Sequence, residues 1–116
     1  MIVIWSTQPV IGTIKARETL DAALAFAAYD QPVRLLFSGQ GIRQLLPTAN
    51  AQDSGAKNLG KLFNALPLFD IDTVYVAADG LDSMAINQDT LIGNPELITS
   101  DAIRQLLLEA THVIRV

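Results

Sequence analysis

The sequence predicts an α/β fold: a single domain over residues 1–116, built on a mostly parallel five-stranded sheet with helices on both faces. Three observations carry this prediction. Residues 2–5 are a short, continuously apolar run, and 33–37 and 73–77 are short runs that are apolar apart from Arg34 and Thr73, all without the alternation of a one-sided sheet. Helical periodicity lies between such runs, so strand and helix alternate to the end of the chain. The 116 residues suit one compact domain, and no repeat, low-complexity tract or linker interrupts them.

The elements follow in order. Ile2-Val3-Ile4-Trp5 is the first strand, and residues 6–13, with Pro9 and Gly12, read as a loop. From about Ala16 to Tyr29, Ala16, Leu20, Ala23, Leu24 and Ala27 form one helical stripe. Gln31-Pro32 ends it, because a residue before proline avoids helical dihedrals. The second strand covers 33–37 and closes on Ser38-Gly39-Gln40-Gly41. Residues 42–46 form one helical turn stopped by Pro47, and the polar stretch 48–55 is an exposed loop. Leu59, Leu62, Phe63 and Leu66 have helical spacing up to Pro67, although Gly60 inside that pattern costs about 1 kcal/mol relative to alanine. Residues 73–77 give a third strand, Thr90-Leu91-Ile92 a weak fourth, and residues 112–116 the last. Between the final two, Ser100 is read as the N-cap of a helix whose stripe is Ala102, Ile103, Leu106, Leu107 and Ala110.

Composition excludes several function classes. Cysteine is absent, so the chain offers no disulfide, thiolate metal site, iron–sulfur cluster or persulfide carrier of its own. With 12 acidic and 8 basic side chains, the net charge of −4 argues against broad nucleic-acid binding through phosphate contacts. Residues 1–5 are apolar but follow no basic region and do not read as a signal peptide. No apolar run reaches membrane-spanning length. A cytoplasmic location without membrane association is the expectation. Charged residues make up only 17% of the chain, against about 25% in an average domain, and this shortage points to additional buried surface such as a subunit interface.

Ligands of an open parallel sheet collect beyond the carboxyl ends of its strands. The candidates there are Ser6, Thr7 and Gln8 in the first loop, Gly39-Gln40-Gly41 after the second strand, and Asp79 and Asp82 in a loop over 78–83 after the third. Gly39-Gln40-Gly41 reads as a tight turn more than an anion cradle, since Gln44 stands where a dinucleotide fingerprint has glycine or alanine. No histidine or strand–turn context makes Ser6 or Thr7 a nucleophile. Asp79 and Asp82 can serve acid–base chemistry or magnesium binding, but their spacing also suits a turn and helix cap. His112 lacks the partners of a metal or catalytic motif. Arg43, Lys57 and Lys61 form at most a small basic patch, with no interleaved aromatics for base stacking. These residues assemble no catalytic constellation, cofactor site or metal site. Phe26 and Tyr29 on a second stripe of the first helix, and Leu108 outside the main stripe of the last, are the candidate interface residues.

The order of several short segments resembles the TusC/DsrF branch of the DsrE-like family. They are Ser6-Thr7-Gln8-Pro9, Arg17-Glu18-Thr19-Leu20-Asp21-Ala22, Gln44-Leu45-Leu46-Pro47, Leu68-Phe69-Asp70-Ile71, Val74-Tyr75-Val76-Ala77-Ala78 and His112-Val113-Ile114-Arg115-Val116. Together they cover nearly the whole chain. The resemblance implies a DsrE-like fold and a cytoplasmic heterohexamer, a dimer of heterotrimers of related small subunits. It further implies that one sister subunit carries a persulfide on a cysteine just beyond its third strand and passes sulfur to a small carrier protein. The output is 2-thiolation of the tRNA wobble uridine, or sulfur oxidation in a DsrEFH-type complex. The matching stretch here, Val76-Ala77-Ala78-Asp79, holds no thiol, although some relatives in the branch have a cysteine near Ala77. A noncatalytic structural subunit of a sulfurtransferase complex is therefore the expected role. The alternative is a small ligand-binding or hydrolytic protein that uses Asp79 and Asp82.

Overall fold

The computed structural model describes residues 1–7, 14–27, 32–46, 66–69, 71, 73–92 and 95–116. Its strands are β1 (Ile2–Ser6), β2 (Val33–Phe37), β3 (Val74–Ala77), β4 (Glu96–Ile98) and β5 (His112–Arg115). They form one sheet of order β4-β3-β2-β1-β5, and every neighbouring pair is parallel. All five carboxyl ends therefore emerge on the same side. The helices are α1 (Ile14–Ala27), α2 (Ala78–Met84) and α3 (Ser100–Glu109), with 3-10 turns at Gly39–Leu45, Leu66–Phe69 and Gln88–Thr90.

The pleat explains why the strands lack alternation. Leu35 and Leu36 are neighbours in β2 that point to opposite faces, and both are fully buried. On one face, Ile2, Ile4, Leu35, Phe37 and Val76 pack with Ala23 of α1 and Leu81 of α2. On the other, Val3, Leu36 and Ile98 pack under Leu106 of α3. Helices cover both faces, as the apolar runs require. No helix among the described residues is long and apolar enough to cross a membrane.

Four local expectations are corrected. Residues 90–92 are not a strand. Asn87 accepts the Asp89 N–H at 2.9 Å on its side chain, Thr90 Oγ1 donates to the Asn87 carbonyl at 2.7 Å, and a 3-10 turn results. Ile92 N–H then bonds the Leu45 carbonyl at 2.9 Å, so it has no sheet partner there. The fourth strand is instead β4, where Glu96 and Leu97 are exposed; edge exposure removes the apolar run that marks the central strands. The N-cap of α3 is Thr99, not Ser100: Thr99 Oγ1 accepts the Ala102 N–H at 3.3 Å. Residues 78–83 form helix α2 directly from the end of β3, where a loop was expected. Ser6 is the last residue of β1, not the start of a loop. Of the helical pattern 59–66, only Leu66 lies within the described residues; it opens the 3-10 turn that contains Pro67.

Candidate functional site

The carboxyl ends of β1, β2 and β3 meet around two short connections, the Gly39–Leu45 turn and α2. Chain geometry holds the first one close. Gly39 has φ +53°, which suits glycine, and a Cβ on Gly41 would collide with the Ser6 carbonyl. That carbonyl accepts the Ser38 N–H at 3.1 Å. Beneath it, Gln44 Nε2 donates to Ser6 Oγ at 2.6 Å, with both side chains buried. The first connection is thereby fastened to the end of β1.

On the α3 face of the same rim, Trp5 Nε1 donates to Ser38 Oγ at 2.7 Å. The Arg115 guanidinium stands 5.1 Å from the centroid of the Trp5 ring, and its Nη2 donates to Thr7 Oγ1 at 3.4 Å. A cation over an indole face is attracted by the ring quadrupole, and here it bridges β5 to β1.

Between the 3-10 turn and α2 lies a cavity of about 360 Å³, lined by Gly39, Gln40, Ala77, Asp79, Gly80, Ser83 and Met84. It opens at the carboxyl end of β3. Asp79 lines it from the first turn of α2 and is exposed. Asp82 is exposed on the same helix but lies outside the cavity lining, so the structure does not bring the two carboxylates into one pocket. Neither caps the helix. The N-cap is Ala77, without a side-chain hydrogen bond, and Asp82 takes part in the C-terminal turn only through its carbonyl, which accepts the Ala85 N–H at 3.2 Å. Among the described residues no three His, Asp or Glu side chains converge as metal ligands.

The remaining sequence candidates are dispersed. Ser6 is buried and hydrogen-bonded, which withdraws it from a ligand, whereas Thr7 is half-exposed beside Arg115. Gln8 and Tyr29 lie outside the described residues, as do Lys57 and Lys61. Arg43 is exposed and its Nε donates to Gln40 Oε1 at 2.7 Å. His112 opens β5 and is exposed. Leu108 is 75% exposed on α3, while Phe26 is half-buried and packs against the core cluster. Sequence reasoning missed Gln44 as a structural residue. Its signal was a lone amide directly before the apolar pair Leu45-Leu46 and two positions after Ile42, where a buried polar group demands a partner.

Comparisons agree with this architecture. The sequence matches the DsrE/DsrF-like family along residues 1–116. It is 37% identical over 99 residues to the Protein TusC homolog of Pseudomonas aeruginosa, covering 85% of this chain and 83% of that protein. It is 35% identical over 81 residues to the intracellular sulfur oxidation protein DsrF of Allochromatium vinosum, covering 70% of this chain and 60% of that one. The crystal structure of the ychN protein from E. coli shares the fold, with a TM-score of 0.78 at 21% identity over 99% of this chain and 97% of that chain. The chain belongs to the DsrE/DsrF-like family, close to its TusC/DsrF branch.

Proposed function

We propose that this protein is a noncatalytic subunit of a heteromeric sulfur-relay complex, in which a cysteine-bearing sister subunit carries the persulfide. A general sulfur-relay role follows from its place among the DsrE/DsrF-like proteins. The observation that carries the finer reading is the absence of sulfur chemistry at the end of β3. The cavity there is walled by Ala77 and Asp79, and the chain contains no cysteine. Persulfide formation and transfer require a thiolate to attack and a sulfur to be attacked, and neither a methyl group nor a carboxylate substitutes for either. The role left to this chain is to hold and orient its sister.

In this reading Leu108 and the exposed part of Phe26, with Tyr29, contribute to the surfaces that contact related subunits. The output is 2-thiolation of the tRNA wobble uridine, in line with relatives named as TusC homologs. The comparable identity to a protein named for intracellular sulfur oxidation favours sulfur oxidation as the second reading.

The test is reconstitution with two related small subunits, one of them bearing the cysteine, and a carrier protein. With a radiolabelled sulfur donor, label should appear on the cysteine-bearing subunit and then on the carrier, with none attached to this chain. Omission of this chain should slow transfer. Stoichiometric label on this chain, or full transfer without it, would overturn the proposal. Transfer to the carrier without any effect on thiolated tRNA would move the output to sulfur oxidation.

A further inference from the structure

A second cavity, of about 430 Å³, lies on the α3 face of the sheet, away from the carboxyl-end site. One side of α3 forms its wall: Ala102, Gln105, Leu106 and Glu109 recur at i, i+3, i+4 and i+7. Tyr75, Glu96 and Ile98 contribute the floor from β3 and β4, and Arg34 of β2 joins them. Arg34 on β2 and Glu96 on β4 are separated by two strand spacings, about 10 Å, the length of about three extended residues.

The charges in this groove do not satisfy one another. Arg34 Nη1 donates to Tyr75 Oη at 3.2 Å, and Glu109 Oε1 accepts from Gln105 Nε2 at 2.9 Å. Among the described residues no ion pair joins Arg34 to Glu96 or Glu109. Strand register explains the separation. Tyr75 is level with Leu36 on one side and Glu96 on the other, and Arg34 shares the face of Leu36 two residues earlier. The guanidinium and the Glu96 carboxylate therefore flank Tyr75 and form no ion pair with each other. An elongated ligand with the reverse pair of charges matches both.

We propose that this groove binds a short zwitterionic peptide of about three residues. Its carboxylate meets Arg34, whose planar fork suits bidentate recognition. Its ammonium meets Glu96, and its body lies over Tyr75, Ile98 and Leu106. This inference stands apart from the sulfur-relay reading, which concerns the opposite side of β3.

The test is an NMR titration of the full ¹⁵N-labelled chain with tri-alanine, and with tri-alanine capped at both ends by acetyl and amide groups. Free tri-alanine should shift the backbone resonances of Tyr75, Glu96 and Gln105 in a saturable way. The doubly capped peptide should bind at least about tenfold more weakly, since each end loses a charge-assisted hydrogen bond. Arg34→Gln should abolish the advantage of a free carboxylate, and Glu96→Gln that of a free amine. Glu96 is exposed, so its variant keeps the fold and decides the matter alone if Arg34→Gln fails to fold. Equal binding of free and capped peptide would overturn the proposal in favour of strand addition at the β4 edge. Unmoved groove resonances at millimolar peptide, or unchanged affinity in Glu96→Gln, would overturn it outright.

Discussion

Gln44 and Ser6, separated by 38 positions in sequence, share a 2.6 Å hydrogen bond inside the closed end of the sheet. Gln44 is fully buried and Ser6 is 1% exposed, so the bond is shielded from water. It ties the connection after β2 to the last residue of β1 and thereby sets one wall of the cavity beside α2. A hydrogen bond in such surroundings contributes modestly when made, but its loss leaves a buried group with one partner fewer.

Ser6→Ala should therefore lower the free energy of unfolding by about 1–3 kcal/mol. Urea denaturation checks this. The double variant Ser6→Ala with Gln44→Leu should cost less than the sum of the two single changes, because it removes both polar groups together.

Gly41→Ala should be more damaging than its small size suggests. The added methyl meets a backbone carbonyl, that of Ser6, which cannot rotate away as a side chain does. A loss of about 1–3 kcal/mol is expected from this overpacking, with the cavity rim displaced. Thermal unfolding, together with chemical shifts of Gln40 and Asp79, provides the measurement.

The position of the α3 cap is testable by two neighbouring substitutions. Thr99→Ala removes the Oγ1 that accepts the Ala102 N–H and should cost about 1 kcal/mol. Ser100→Ala falls on the first helical residue and should change stability by less than about 0.5 kcal/mol. A reversal of that order in denaturant titration would return the cap to Ser100.

Leu108 and Phe26 should separate association from stability. Leu108→Ala is expected to leave the unfolding free energy within about 0.5 kcal/mol, since the side chain is mostly in solvent. If it anchors a subunit contact, affinity for the partner falls by about tenfold or more. Phe26→Ala should cost about 2 kcal/mol of stability as well, less than a fully buried phenylalanine, because it only partly enters the core. Unfolding of the isolated chain and partner affinity by calorimetry are measured side by side.

The family was legible because landmarks spread along the whole chain keep their order, and the absent thiol was legible because it is a matter of composition. The parallel α/β class was legible for a different reason. Residues 2–5, 33–37 and 73–77 must be covered on both faces, and largely apolar runs between helical stripes encode that need directly. What depends on partners distant in sequence was not legible. Glu96-Leu97-Ile98 is a strand because β3 offers it an edge, although Glu96 and Leu97 are exposed; Thr90-Leu91-Ile92 is as apolar but is held by Asn87 and Leu45. Asp79 and Asp82 were read as a pair, yet helical rotation puts only Asp79 on the cavity. The tertiary structure alone decided that β5 returns beside β1, which brings Arg115 over Trp5, and that Ser6 is buried against Gln44. Local pattern specifies which faces must be hidden from water, whereas the choice of what hides them is made only when the strands assemble.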